Sequence, residues 1–176
     1  LALCACQRSG APEQDSGAGW TTAWTASPSD AASLLLPAGS LLRQLITVNG
    51  DGARLRLRLS NRLGTRAIAL TQVTVGRAEG GAALQAGTVR TLRFNGSDAI
   101  TIEPGASVLS DTLEFPLRTF DRLAITIQLA AAVQELPRHY QALETPYLAL
   151  GGATADTASG SAFLPLQLEQ LNSWYV

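Results

Sequence analysis

The stretch Arg54–Gly64 reads R-L-R-L-R-L-S-N-R-L-G, and it limits what the chain can fold into more than any other. Leu55, Leu57 and Leu59 share one phase of a two-residue alternation, and Arg54, Arg56, Arg58 and Ser60 share the other. An extended strand sends successive side chains to opposite faces, so this segment is a strand with an apolar inner face and a cationic outer face. A helix would spread the same arginines around its circumference. The leucine face then needs a second apolar layer to cover it. Asn61–Gly64 follows with turn residues, because Asn and Gly tolerate φ > 0.

The rest of the chain repeats this logic. Trp20–Pro28 opens the ordered part as an extended segment, with Trp20 and Trp24 on one face. Ser29–Ser40 reads as a loop. Leu41–Val48 is a strand with Leu42, Ile46 and Val48 inward and Arg43 and Thr47 outward. Asn49-Gly50-Asp51-Gly52 predicts a hairpin that joins it to the Arg-striped strand. Ala67–Val75, Thr88–Phe94 and Ala99–Ile102 are further strands, punctuated by Gly80-Gly81 and Asn95-Gly96. Pro104-Gly105 predicts a type II turn. In Val108–Leu117, Asp111 falls in phase with Leu109, Leu113, Phe115 and Leu117. A buried, unpaired carboxylate is expensive, so either Asp111 meets a donor or the strand bends at Ser110-Asp111; the bend is the expectation. Arg122–Ala130 is an inner strand, with Leu123, Ile125, Ile127 and Leu129 inward. The weakly patterned stretch 131–160 predicts loops, with a strand near Tyr147–Leu150. Leu171–Val176 returns to strand.

No stretch has the periodicity of a long amphipathic helix, and no fixed repeat of about 20–50 residues marks a propeller or solenoid. Many short strands between turn signals predict an all-β fold, an antiparallel β-sandwich or jelly-roll-like domain, over residues 20–176. A chain of 176 residues is long enough for one such core. The net charge of −1 gives no long-range attraction to nucleic acid.

The ends carry their own signals. The chain contains no Met and stops inside an expected strand, so it reads as a piece of a longer protein. Leu1-Ala2-Leu3-Cys4-Ala5-Cys6 resembles the tail of a bacterial lipoprotein signal, with Leu at −3 and Ala at −1 before Cys6. Cleavage there leaves Cys6 as a lipid-bearing N-terminus. Residues 1–19 are then a signal remnant and a disordered tether, because Gln7–Gly19 is rich in Gly, Ser, Gln and acids. Membrane attachment is expected only through that lipid, on a protein of the bacterial envelope facing the periplasm or the exterior. No other apolar run reaches the roughly 18–20 residues that span a bilayer.

Catalytic and cofactor signals are sparse. His139 is the single histidine, and no Gly-x-Ser-x-Gly elbow accompanies it. One His and two N-terminal Cys are too few for a zinc site, and no P-loop, dinucleotide fingerprint or calcium loop occurs, so no cofactor is expected. Trp20 and Trp24 are candidates for stacking on sugar rings, with Tyr140, Tyr147, Trp174 and Tyr175 as further aromatics. The Arg stripe matches a carboxylate-bearing sugar, or it is a solvated sheet face.

Taken in order, W-T-T-A-W-T-A-S-P from Trp20, L-L-R-Q-L-I-T-V from Leu41, R-L-R-L-S-N-R-L-G from Arg56, L-R-F-N-G from Leu92, I-E-P-G-A-S-V-L-S-D from Ile102, L-A-I-T-I from Leu123 and then His139 resemble the N-terminal β-sandwich domain of secreted bacterial SGNH/GDSL-type ester hydrolases. The resemblance covers about Trp20–Val176. It implies an enzyme that hydrolyses acyl esters, some of them acetyl groups on polysaccharides, without a metal. It carries over no catalytic residue. The family's Gly-Asp-Ser block follows the sandwich and does not occur here, and Leu136 stands where the family's Asp-x-x-His base has Asp.

Two readings result. The first is a non-catalytic accessory domain that packs on its own C-terminal catalytic domain, with Arg43, Ser60, Asn61, Asp111 and His139 as candidate interdomain contacts. The alternative is a stand-alone module that binds polysaccharide through Trp20, Trp24 or the Arg stripe.

Overall fold

The Arg-striped segment is a strand, as its alternation predicts, and it lies inside the first of three antiparallel sheets. The structure, a computed structural model, describes residues 3–7, 19–139, 144–166 and 173–174, with side chains for 19–31, 33–139 and 144–166. Sixteen strands follow one another in these residues. The first six are β1 (Leu3–Gln7), β2 (Trp20–Thr25), β3 (Asp30–Leu36), β4 (Leu41–Thr47), β5 (Gly52–Ser60) and β6 (Ile68–Gly80). Then come β7 (Ala83–Leu84), β8 (Arg90–Leu92), β9 (Ile100–Ile102), β10 (Ser107–Leu109) and β11 (Leu113–Leu117). The last are β12 (Arg122–Leu129), β13 (Val133–His139), β14 (Tyr147–Ala149), β15 (Leu164–Pro165) and β16 (Ser173–Trp174). The described residues contain no helix.

The first sheet has the order β10-β5-β1-β2, with β11 also paired to β5. The second has the order β15-β14-β4-β12-β6-β7, with β8 and β9 also on β6. The third has the order β16-β13-β3, and its Leu36, Val133 and Leu136 join the main core. The arrangement is an antiparallel β-sandwich. Its main core joins Leu55, Leu57 and Leu59 of β5 to Leu42 and Ile46 of β4, Leu123, Ile125 and Ile127 of β12, and Leu36 and Leu136 of the third sheet.

The strand β6 shows how pattern yields to geometry. Ile68 and Leu70 are inward in one phase, Val73 and Val75 in the other. A bulge opposite Gln128–Leu129 absorbs the extra residue, so both pairs reach the core. The opposite faces of β4 and β12 are also covered. Leu41, Leu45 and Ala124 are buried beneath the 151–163 segment and β7, in two smaller clusters with Phe163, Ala155 and Leu84. The fold therefore has a third layer, and that layer is mostly loop.

Four expectations are corrected. Asn49–Gly52 is not a hairpin: β4 and β5 belong to different sheets, so their leucines meet across the core and not side by side. Turn chemistry reports a chain reversal and leaves open whether the flanking strands pair or stack. Asp30–Leu36 and Val133–His139 are strands where loops were expected, and they pair with each other. D-A-A-S-L-L-L has no alternation to advertise it, and Pro137 interrupts the other. Arg138 joins them through two bonds to the Asp30 carboxylate, at 2.8 and 3.0 Å.

Finally, neither Asn61 nor Gly64 has a positive φ. The Gly is required for space: a Cβ at position 64 would lie 1.8 Å from the Asn61 Oδ1. Other turns form as predicted. Gly105 has φ +74°, and the Ala106 N–H donates to the Glu103 carbonyl at 3.1 Å across Pro104-Gly105.

Candidate functional site

The five residues singled out as interdomain contacts are held in four separate places within the fold. Arg43 is fully buried. It lies on the side of β4 away from the main core, as its phase predicts, but the 151–163 segment covers that side. Its Nε donates to the Thr126 Oγ1 at 2.8 Å, and its two terminal nitrogens donate to the carbonyls of Ala82 and Thr157, each at 2.6 Å. The guanidinium stacks 3.9 Å from the centre of the Phe163 ring. Burial lowers its pKa to about 10, which still leaves it cationic at neutral pH. Arg43 is therefore a staple between the second sheet and its loop cover, and it offers no surface to another domain.

Ser60 and Asn61 are likewise fully buried, at the corner where β5 leads into β6. The Asn61 side-chain amide donates to the carbonyls of Arg66 at 2.8 Å and Ile102 at 3.0 Å. Its main chain is also engaged: the Asn61 N–H donates to Ala106 O, and Asn61 O accepts from Gly105 N, both at 2.9 Å. Asp111 sits between β10 and β11, half-buried, and its carboxylate accepts the N–H groups of Asn95 at 3.0 Å and Gly96 at 2.7 Å. Asn95 and Gly96 have φ of 53° and 81°, so the carboxylate clamps a left-handed turn. In place of the bend expected at Ser110-Asp111, the chain slips by one residue against β5, with Leu109 opposite Arg58 and Leu113 opposite Leu55, and the carboxylate meets a pair of donors.

His139 ends β13, half-buried, with Nδ1 2.9 Å from the Ser27 carbonyl oxygen. It lines a cavity of about 240 Å³ with Trp24, Thr47 and Glu144. Arg122 pairs with Glu144 at 2.8 Å.

Trp20 and Trp24 do not form a common platform. The β1–β2 register skips Ala23, which flips the phase between them. Trp24 packs against the main core, while the Trp20 ring is covered by the Arg56 guanidinium at 3.9 Å. The Arg stripe is also partly engaged, since Arg54 lies 3.7 Å from Glu114. Cys6 lies in β1, whose backbone pairs with both β2 and β5. Leu3–Gln7, read from sequence as targeting residues, is thus extended and central to the first sheet in this chain. The side chains of β1, Tyr140, Tyr175 and most of the tether lie outside the described residues.

One feature was not anticipated. A groove of about 750 Å³ opens beside the Asn49–Gly52 corner, walled by Thr21 and Thr22 of β2 and by Arg118 and Thr119. The next residue, Phe120, has φ +71° and is 78% exposed. A lone aromatic in the polar run R-T-F-D was the only signal in the sequence. Among the described residues, no group of three or more His, Cys, Asp or Glu is placed to hold a metal ion.

Fold and site together define an antiparallel β-sandwich whose motif residues fasten its own turns and layers. No family model matches the chain, and no curated protein sequence matches it.

Proposed function

We propose that this chain is a structural accessory domain of an SGNH/GDSL-type ester hydrolase, held at the bacterial envelope through lipid on Cys6, with the ester chemistry performed by a catalytic domain it packs against. One observation supports this reading above others: the residues that carry the family resemblance are fastenings. Arg43 staples two layers, Asn61 with Gly64 closes the β5–β6 corner, and Asp111 clamps the Asn95-Gly96 turn. The shared pattern is thus a scaffold pattern, as expected of a domain whose role is to support another. Leu150 and Leu164, 65% and 71% exposed beside the β14–β15 edge, give such a contact an apolar starting point.

The purified chain is expected to show no turnover of p-nitrophenyl acetate above a buffer blank. Turnover that falls on His139→Ala would place catalysis inside these residues and refute the reading. The codons after Val176 supply a second test. A Gly-Asp-Ser block there is the expected result, and a stop codon overturns the accessory-domain assignment.

A further inference from the structure

We propose that Asn95 is a latent deamidation site and that the Asp111 carboxylate is its guard, holding the neighbouring amide nitrogen out of a reaction that converts asparagine to aspartate and isoaspartate. The proposal does not depend on whether a catalytic domain follows or whether Cys6 carries a lipid.

The sequence provides the first observation. Asn-Gly occurs at Asn49-Gly50 and at Asn95-Gly96. In this dipeptide the main-chain nitrogen reaches the preceding side chain most easily, because glycine has no Cβ to obstruct the approach and little restriction of φ. The Gly96 nitrogen gives its proton to solvent base and bonds to the Asn95 Cγ. The Cγ–Nδ2 bond breaks, and the side-chain nitrogen leaves as ammonia. One water then opens the cyclic imide at either carbonyl, giving aspartate or isoaspartate. Asn95, Gly96 and Ser97 are exposed, so water and base reach this turn.

The second observation is where that nitrogen is held. The Gly96 N–H donates to Asp111 Oδ2 at 2.7 Å, and the Asn95 N–H donates to Oδ1 at 3.0 Å. The two oxygens of one carboxylate thus grip consecutive N–H groups. To react, the Gly96 nitrogen must give up a charge-assisted bond and turn towards Cγ. It must also become negative beside a carboxylate, which like charge opposes.

The third is the rigidity of turn and guard together. Asn95 and Gly96 take φ of 53° and 81°. The Phe94 N–H donates to Ser97 O at 2.8 Å and the Ser97 N–H to Phe94 O at 3.1 Å, closing the turn on both sides. Phe94 is buried in the main core, and Arg93 pairs with Asp98 across the turn at 3.0 Å. Asp111 is tied to the same segment, because its own N–H donates to Arg93 O at 2.7 Å. The nitrogen therefore meets Cγ only through a local opening of the turn.

These observations fit one another. A left-handed pair favours Asn followed by Gly, so the shape of the turn selects the sequence most open to damage. A carboxylate on the two N–H groups reconciles the shape with chemical durability.

Incubation of the intact chain in mildly alkaline buffer, followed by tryptic mass mapping, tests the proposal. Cleavage after Arg93 and Arg118 gives a fragment in which Asn95 is the one amide side chain, so its conversion to acid is assigned directly. Wild-type Asn95 is expected to deamidate about tenfold or more slowly than in a synthetic peptide of residues 90–99, the factor set by opening one charge-assisted bond. Asp111→Ala keeps the main-chain bond to Arg93 and should raise the Asn95 rate about fivefold. Asp111→Asn, which keeps one acceptor oxygen, should fall between. Neither variant should change the rate at Asn49, which serves as the clock for general loosening of the fold. A wild-type Asn95 that reacts as fast as the peptide or faster, with Asp111 then acting as a base, overturns the guard. So does an Asn95 rate that neither variant raises, and so does an equal rise at Asn95 and Asn49 in both variants.

Discussion

Gly64→Ala should destabilise the protein through Asn61, and removing Asn61 should reverse the sign of the effect. An alanine Cβ at position 64 would stand 1.8 Å from Asn61 Oδ1 and 2.9 Å from its Cγ, so the side chain must leave its place. It then gives up its bonds to Arg66 O and Ile102 O. Two net hydrogen bonds and a stranded buried carbonyl together amount to about 2–4 kcal/mol. Asn61→Ala loses the same bonds and should cost a similar amount. In that background the clash is gone. Position 64 does not use the left-handed region, so alanine there should stabilise by about 0.4–1 kcal/mol through the unfolded state. Urea unfolding of the four proteins measures this cycle, with midpoints converted at constant m. A Gly64→Ala cost that is the same in both backgrounds, or absent in the wild type, would refute the steric account.

Arg43→Lys should cost about 2–4 kcal/mol in the same assay, because one ammonium cannot reproduce a fork that bonds Thr126, Ala82 and Thr157 while stacking on Phe163. Asp111→Ala removes the acceptor for two exposed turn N–H groups and should cost about 1 kcal/mol, read as a small fall in thermal midpoint. Bonds from Arg138 hold the Asp30 carboxyl below its ordinary pKa, and bonds from Thr65 do the same for Glu135. Their contribution is complete above the unfolded values near 3.8 and 4.5 and is lost as pH falls through the lowered folded ones. Glu135→Gln should therefore flatten the acid limb of a stability profile and leave neutral pH less stable than wild type. Cys6→Ser should abolish palmitate incorporation in cells, and incorporation that persists in the variant refutes the lipid on Cys6.

Strand identity was legible wherever alternation was clean. Arg54–Ser60 and Arg122–Leu129 needed only their own side chains to declare a phase, because each faces a continuous apolar layer. Strands lacking that contrast stayed hidden. Asp30–Leu36 and Val133–His139 are specified by each other across space, and a single segment cannot report a partner 100 residues away. Covalent neighbours misled in the same way at Asn49–Gly52, where a reversal was visible and its sheet assignment was not. Leu3–Gln7 has the short apolar character shared by a signal tail and a strand inside a sheet, so composition alone does not separate them. The site was less legible still. Arg43 was correctly phased away from the main core, but nothing local foretold that a loop more than 100 residues later would cover it. Phe120 takes its meaning from a dihedral angle, and no residue pattern encodes that.

The cover over the second sheet has an evolutionary consequence. Arg43 grips the main-chain oxygens of Ala82 and Thr157, the Thr74 hydroxyl grips that of Ala155, and the Leu84 N–H donates to the Ala158 oxygen. Every one of these grips on the lid is to a peptide group, which all amino acids share. Apart from Ala155, Gly160 and Phe163, which pack closely on what lies beneath, its letters are thus free to drift while its course is preserved, so descendants of this chain should be traceable through those three and the arginine and threonine beneath the lid long after the rest of it has become unrecognisable.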